Sequence, residues 1–291
     1  MLKEYSRRQA AIVDKTLDEL MPADNYPPEI FAAMRYSLFA GGKRLRPILL
    51  MAAADAAGGD GRNYLPVACA LEMIHTYSLI HDDLPAMDDD DYRRGKPTNH
   101  KVYGEGMAIL AGDGLLTAAF EVMLRQTGVE PATLLQVVRE VAEGAGASGM
   151  VGGQAIDLLS EGQAIDADTL RFMHRAKTGA LFKAAIRAGA ILAGASPEKL
   201  AALTEYAEQF GLAFQITDDI LDVTGDEAKL GKPVGSDVKN DKVTYVSLYS
   251  LDGAKKLAAE ALAAATGALT AFGPEAAVLR EMVEYLLTRD S

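Results

Sequence analysis

Two groups of aspartates draw attention because each closes a run of apolar residues. The first is Asp82, Asp83 and Asp88 in SLIHDDLPAMDDDD, and the second is Asp218, Asp219 and Asp222 in FQITDDILD. On a continuous helix, residues six apart point ~240° apart, so Asp82 and Asp88 would diverge. Pro85 disfavours helical geometry at Leu84. The helix is therefore predicted to end near Asp83 and the chain to turn, bringing Asp88 back toward Asp82. In the second group, Asp218 and Asp222 differ by only ~40° and share a face, with Gln215 one turn earlier. Carboxylates crowded in this way repel one another, and at a helix C-terminus they also oppose the macrodipole. Oxygen donors without His or Cys partners suit Mg²⁺, which prefers carboxylates, waters and substrate phosphates. For either group alone a solvated acidic helix end is the alternative reading. Asp89, Asp90 and Asp91 read as a solvated run.

Positive charge is concentrated near these aspartates. Gly41-Gly42-Lys43-Arg44-Leu45-Arg46-Pro47 sets three cations beside two glycines, which permit close backbone approach. Arg93 and Arg94 follow the first acidic run, Lys177-Thr178-Gly179 lies within a helical pattern, and Lys232 and Lys242 flank the second acidic helix. Carboxylate, Mg²⁺, diphosphate and Lys/Arg form a ladder of alternating charge. His75 lies seven residues before Asp82, ~20° from two full turns, so it shares that face. On its own it reads equally well as a packed core histidine.

The elements that must position these groups are helices. Apolar residues recur at helical spacing over 3–20, 28–39, 44–57, 64–82, 106–126, 132–147, 167–192, 197–222, 253–266 and 275–288. Pro47, Pro66, Pro131, Pro197 and Pro274 fall near predicted helix starts, where a missing amide is harmless. Long polar connections are predicted at 84–99 and 223–241. The run GAGASGMVGG at 144–153 reads as a helix whose glycines let a neighbour approach closely, in preference to a flexible linker. With no composition shift and no repeat, one all-α domain over 1–291 is expected.

Composition narrows the class. The 291 residues carry 29 Lys+Arg against 41 Asp+Glu, a net charge of −12, which argues against a nucleic-acid surface. The single Cys69 excludes a disulfide framework and suits a reducing compartment. The N-terminal stretch has no apolar signal core, and no uncharged apolar run approaches the ~18–20 residues of a membrane span. A soluble, cytoplasmic protein without a membrane anchor is the expectation.

With these motifs in hand, the chain resembles the trans-isoprenyl diphosphate synthases along almost its whole length. It is most similar to the short-chain bacterial farnesyl (geranyltranstransferase) type. The resemblance rests on GGKRLRP at 41–47, IHTYSLIHDDLPAMDDDDYRRGKPTNH at 74–100, KTG at 177–179, FQITDDILD at 214–222 and LGKPVGSD followed by Lys242. The first aspartate motif has the longer DDxxxxD form typical of the bacterial short-chain enzymes.

The resemblance implies an all-α helical bundle, usually a homodimer, around a deep central cavity with the two aspartate motifs facing each other at its mouth. By that analogy Asp82 and Asp88 hold two Mg²⁺ and Asp218 a third, while Asp83, Asp219 and Asp222 tune them through water. Arg93, Lys177, Lys232 and Lys242 grip the allylic diphosphate. Lys43, Arg46, His75 and Arg94 hold isopentenyl diphosphate, and Thr178 and Gln215 lie near the nascent allylic cation. The family's chain-length position, fifth before the first aspartate, is Tyr77 here, and an aromatic at that place resembles farnesyl-producing enzymes. Helix geometry puts Ser78 ~40° and Tyr77 ~140° from Asp82, so periodicity alone does not aim Tyr77 into the tunnel. A geranylgeranyl diphosphate synthase and a non-catalytic subunit of a prenyl synthase remain the alternatives.

Overall fold

In a computed structural model of the chain, residues 1–225 and 242–288 are described. Among them the chain is helical apart from turns and one small hairpin, as the apolar spacing predicts. The first helices are α1 (Leu2–Leu20), α2 (Pro28–Leu38), α3 (Leu45–Ala57) and α4 (Leu65–Asp82). After the hairpin β1 (Tyr92–Arg93) and β2 (Lys96–Pro97) come α5 (Asn99–Tyr103), α6 (Glu105–Met123) and α7 (Pro131–Ala145). Next are α8 (Met150–Ser160), α9 (Ala167–His174), a π turn (Arg175–Gly179), α10 (Ala180–Leu192) and α11 (Pro197–Thr224). The described chain ends with α12 (Tyr245–Ala268) and α13 (Ala277–Thr288).

The centre of the molecule is set by α3 and α4. Every residue from Pro47 to Ala54 on α3, and from Val67 to Ile74 on α4, is buried. A helix covered on all sides belongs inside a bundle. Here α3 packs on α10, α4 on α6, and α11 on both α10 and α12. Glu72 on α4 is paired with a buried cation at the start of α3. The Arg44 guanidinium, with its backbone in the left-handed region at φ 50°, donates to Glu72 Oε1 at 2.9 Å, Asp14 Oδ1 at 2.7 Å and the Leu38 carbonyl at 2.8 Å. Of the three cations in GGKRLRP, one is thus an internal strut.

Several local expectations are revised. The glycine-rich run at 144–153 is neither a linker nor one helix: α7 stops at Ala145, and Gly146 and Gly149 take non-helical backbone angles before α8 begins. The predicted helix over 167–192 contains the π turn, and α12 starts at Tyr245 rather than at residue 253. Within the 84–99 connection, Arg94 and Gly95 both have positive φ, 54° and 75°, forming a tight hairpin turn between β1 and β2.

Candidate active site

A cavity of about 1390 Å³ opens between the GGKRLRP loop, α3, α4, α8, the π turn, α11 and the start of α12. On one side, Lys43, Arg46, His75 and Arg94 line it. On the other are Lys177 and Thr178 from the π turn, Gln215 and Asp218 from α11, and Lys242. Phe182, Phe210 and Phe214 supply an apolar wall, with Phe182 edge-on to both of the other rings. Polar ends around an aromatic interior suit a ligand with a charged head and a hydrocarbon body.

The basic side has the electrostatics of an anion site. Burial pushes the Arg46 guanidinium down to about 10, still charged at neutral pH, and its Nε has no hydrogen-bond partner. The same guanidinium lies 4.8 Å from the Phe182 ring centroid. His75 is held well below the usual histidine range, first by burial and then by the charges of Arg46 and Arg94. The arginine charges that add to burial in keeping this imidazole neutral also attract anions. Arg94 reaches this side because the hairpin turn folds it back onto the Gly41 carbonyl.

Of the two acid-tipped helices, α11 lines the cavity through Asp218 and Asp219, and the chain that follows α4 reaches Lys242 on that wall through Asp88. As Pro85 predicts, α4 stops at Asp82 and the chain doubles back, with the Asp88 amide donating to the Asp82 carbonyl at 2.9 Å. Burial, reinforced by Asp88 and countered by Lys177, pushes the Asp82 carboxyl up to about 6. Lys242 Nζ lies 3.8 Å from Asp88 Oδ1 and lines the same cavity as Asp218. Lys242 thereby links Asp88 of the first motif to the wall that carries Asp218 of the second.

Asp83 is buried and accepts a 2.6 Å hydrogen bond from Arg93 Nε. Arg93 therefore braces the first motif, and neither Arg93, Asp82 nor Asp88 lines the described cavity. Asp219 Oδ2 accepts the Tyr245 amide at 2.7 Å, tying α11 to the first turn of α12. Tyr77 is buried in the α4–α6 core, edge-on to His81, and Ser78 Oγ donates to the His75 carbonyl; neither lines this cavity. Lys232 lies outside the described residues.

The chain matches the polyprenyl synthetase family over residues 27–285. The chain belongs to that family. The synthase is 47% identical over 291 residues to a farnesyl diphosphate synthase of Geobacillus stearothermophilus, covering 99% of this chain and 98% of that protein. It is 49% identical over 289 residues to a geranylgeranyl diphosphate synthase of Cyanophora paradoxa, covering 99% and 95%. Among solved structures, a geranylgeranyl pyrophosphate synthetase from Pyrococcus horikoshii superimposes with a TM-score of 0.91 at 32% identity, covering 99% of this chain and 98% of that one. An FPP/GFPP synthase from Zymomonas mobilis gives 0.88 at 37%, covering 98% of each. The synthase is a prenyltransferase of all-α fold.

Two polar wall residues escape the sequence motifs. Asp157 on α8 accepts a 2.6 Å hydrogen bond from Lys177 Nζ, and His174 lines the cavity with an unpartnered Nδ1. A lone aspartate in the small and apolar run MVGGQAIDLL is the signal that marks Asp157. His174 sits one turn before Lys177 and has no comparable flag.

Proposed function

We propose that the synthase condenses isopentenyl diphosphate head-to-tail with dimethylallyl or geranyl diphosphate, forming (E,E)-farnesyl diphosphate with Mg²⁺. The observation that carries this reading is Lys242, which lies 3.8 Å from Asp88 of the first aspartate motif and lines the same cavity as Asp218 of the second. The donor set fits the ion. Among the described residues no three carboxylate, His or Cys groups converge into a ready-made metal cage. Mg²⁺ bridged between one or two carboxylates and substrate phosphates needs no such cage. Asp82, Asp88 and Asp218 would hold the ions, up to three with substrate bound.

Bound Mg²⁺ would neutralise charge that builds on the departing diphosphate. Lys177 and Lys242, with Arg93 and Lys232 by family resemblance, bind that allylic diphosphate at the mouth. Their ammonium donors stabilise the leaving group as its carbon–oxygen bond lengthens. Lys43, Arg46, His75 and Arg94 hold the second diphosphate on the basic side, which fixes the isopentenyl double bond close to the allylic carbon. Phe182 and Phe214 keep water from the cationic carbon, while the Thr178 hydroxyl and Gln215 amide oxygens offer dipoles to it. The double bond attacks, and the proton lost afterwards passes to the freed diphosphate. His174 is a poor acceptor, since burial pushes it down to about 4.

Farnesyl is favoured over geranylgeranyl by the aromatic at position 77, although the named relatives include both kinds. A cytoplasmic location agrees with the lone buried Cys69. A homodimer is supported by α6, whose Ile109 and Leu110 are 45% and 56% exposed on an apolar helix. Chromatography of the products from isopentenyl and dimethylallyl diphosphates, with Mg²⁺ and with chelator, tests the reading. A fifteen-carbon product that needs the metal is expected. A twenty-carbon product moves the assignment to geranylgeranyl, and no product in either condition refutes it.

A further inference from the structure

Asp157 is the one charged residue on α8, and its side chain is 11% exposed at the cavity wall. Lys177 Nζ lies 2.6 Å from its Oδ2, and Lys242 Nζ lies 3.9 Å from the same oxygen. Lys242 is at nearly the same distance, 3.8 Å, from Asp88. We propose that Asp157 is a positioning residue, a fixed counter-anion that holds Lys177 and Lys242 side by side at the mouth and shares Lys242 with Asp88. The proposal rests on the reading that these two lysines bind the allylic diphosphate.

Two ammonium groups converging on one point repel each other unless an anion sits between them. Burial acts to raise the Asp157 carboxyl, but Lys177 and Lys242 outweigh it and hold it below the usual carboxylate range, so it is an anion at neutral pH. Without that charge the lysines lose their common partner. Lys242, now shared between the two carboxylates, is then left with Asp88, where its ammonium competes with the metal for that carboxylate. Asp157 does not take the lysines out of use. An ammonium carries three N–H donors, so Lys177 can keep its bond to Asp157 while donating to phosphate oxygens.

The backbone is built for this contact. Gly153 lies one turn before Asp157 on α8, and a Cβ there would sit 2.1 Å from Lys177 N and 2.6 Å from Lys177 Cα. Any side chain at 153 would push α8 off the π turn and carry Asp157 out of reach. On the opposite side, a Cβ at Gly211 of α11 would come within 3.2 Å of Gly179 Cα. The π turn is thus held between two helices at glycine contacts, and the glycine-rich 144–153 run delivers the anion to the lysine.

Steady-state kinetics of wild type, Asp157→Asn and Asp157→Glu separate this role from a structural one. For Asp157→Asn, KM for the allylic diphosphate should rise about tenfold, the effect of losing one charge-assisted contact, while KM for isopentenyl diphosphate changes less than about twofold. The Mg²⁺ concentration for half-maximal rate should also rise. Asp157→Glu, which keeps the charge, should recover most of the loss. An unchanged allylic KM, a parallel rise in both KM values, or a folded Asp157→Glu as impaired as Asp157→Asn overturns the proposal. Calorimetric titration with inorganic pyrophosphate and Mg²⁺ gives an assay that needs no turnover: weaker binding by Asp157→Asn supports the role, and equal or tighter binding overturns it. A wild-type chain that binds pyrophosphate but makes no product fails the functional reading alone.

Discussion

Burial and neighbouring charge shift Asp82 and His174 in opposite directions, and each shift has a measurable consequence. His174 is held at about 4 against its ordinary 6.5, first by burial. Between those values the unfolded chain takes up a proton that the folded one refuses. Stability from this group is therefore complete above about 6.5 and drains as pH falls toward 4, by at most ~1.4 kcal/mol per pH unit. Asp82, raised to about 6, titrates in the opposite sense over an overlapping range, so the wild-type curve alone is ambiguous. The difference between wild type and His174→Asn isolates the histidine: the variant should lose less stability from pH 6 to 5 in chemical denaturation. Parallel curves would show that His174 is not buried neutral. For the aspartates the test is turnover. Asp82→Ala and Asp218→Ala should each cut kcat by orders of magnitude, and near wild-type rates at saturating Mg²⁺ would remove them from the metal site.

At the scale of helices, what the sequence announces is what repeats or what breaks. Asp82 and Asp88 were legible because Pro85 ends α4 by a known steric rule, and the observed Asp88 amide bond to the Asp82 carbonyl is its result. Lys43 and Arg46 were legible as a basic group, but not the inward turn of Arg44, which depends on Glu72 and Asp14 far along the chain. The glycine run was legible as a helix that lets a neighbour approach, which Gly153 does toward Lys177, but the break at Gly146–Gly149 and the role of Asp157 were not, because glycine carries no periodic signal. Tyr77 was named through the resemblance, but periodicity did not show where its ring packs. It lies on the α4 side that packs against α6, with its ring 5.7 Å from His81, whose Nε2 is 3.1 Å from the Ile109 carbonyl. If the growing hydrocarbon runs down this seam, Tyr77→Ala shortens the stop and should shift product toward twenty carbons, read by chromatography of dephosphorylated products. An unchanged profile would leave Tyr77 a packing residue.

For the whole molecule the issue is what covers α6. Of its 18-residue apolar window, with mean hydropathy 1.4, only 39% is buried within the chain. Exposed Ile109, Leu110 and Leu124 share the outer side of this segment with Asp113 and Glu121, charges that a bilayer interior would penalise. A net charge of −12 keeps such chains apart unless apolar contact outweighs repulsion. A second copy laid against α6 would bury these side chains by twofold symmetry, and specific dimers bury about 1,200–2,000 Å² in total. It would also reach the catalytic apparatus, since the inner side of α6 packs on α4, the helix that ends in Asp82. Replacing both Ile109 and Leu110 with Asp should therefore convert a dimer to a folded monomer in sedimentation equilibrium, because neither residue is needed for the core. Activity should fall with dissociation as the α4–α6 contact loosens. A wild-type chain that sediments as a monomer at micromolar concentration, or a variant that stays dimeric, would mean that α6 is not the surface through which copies meet.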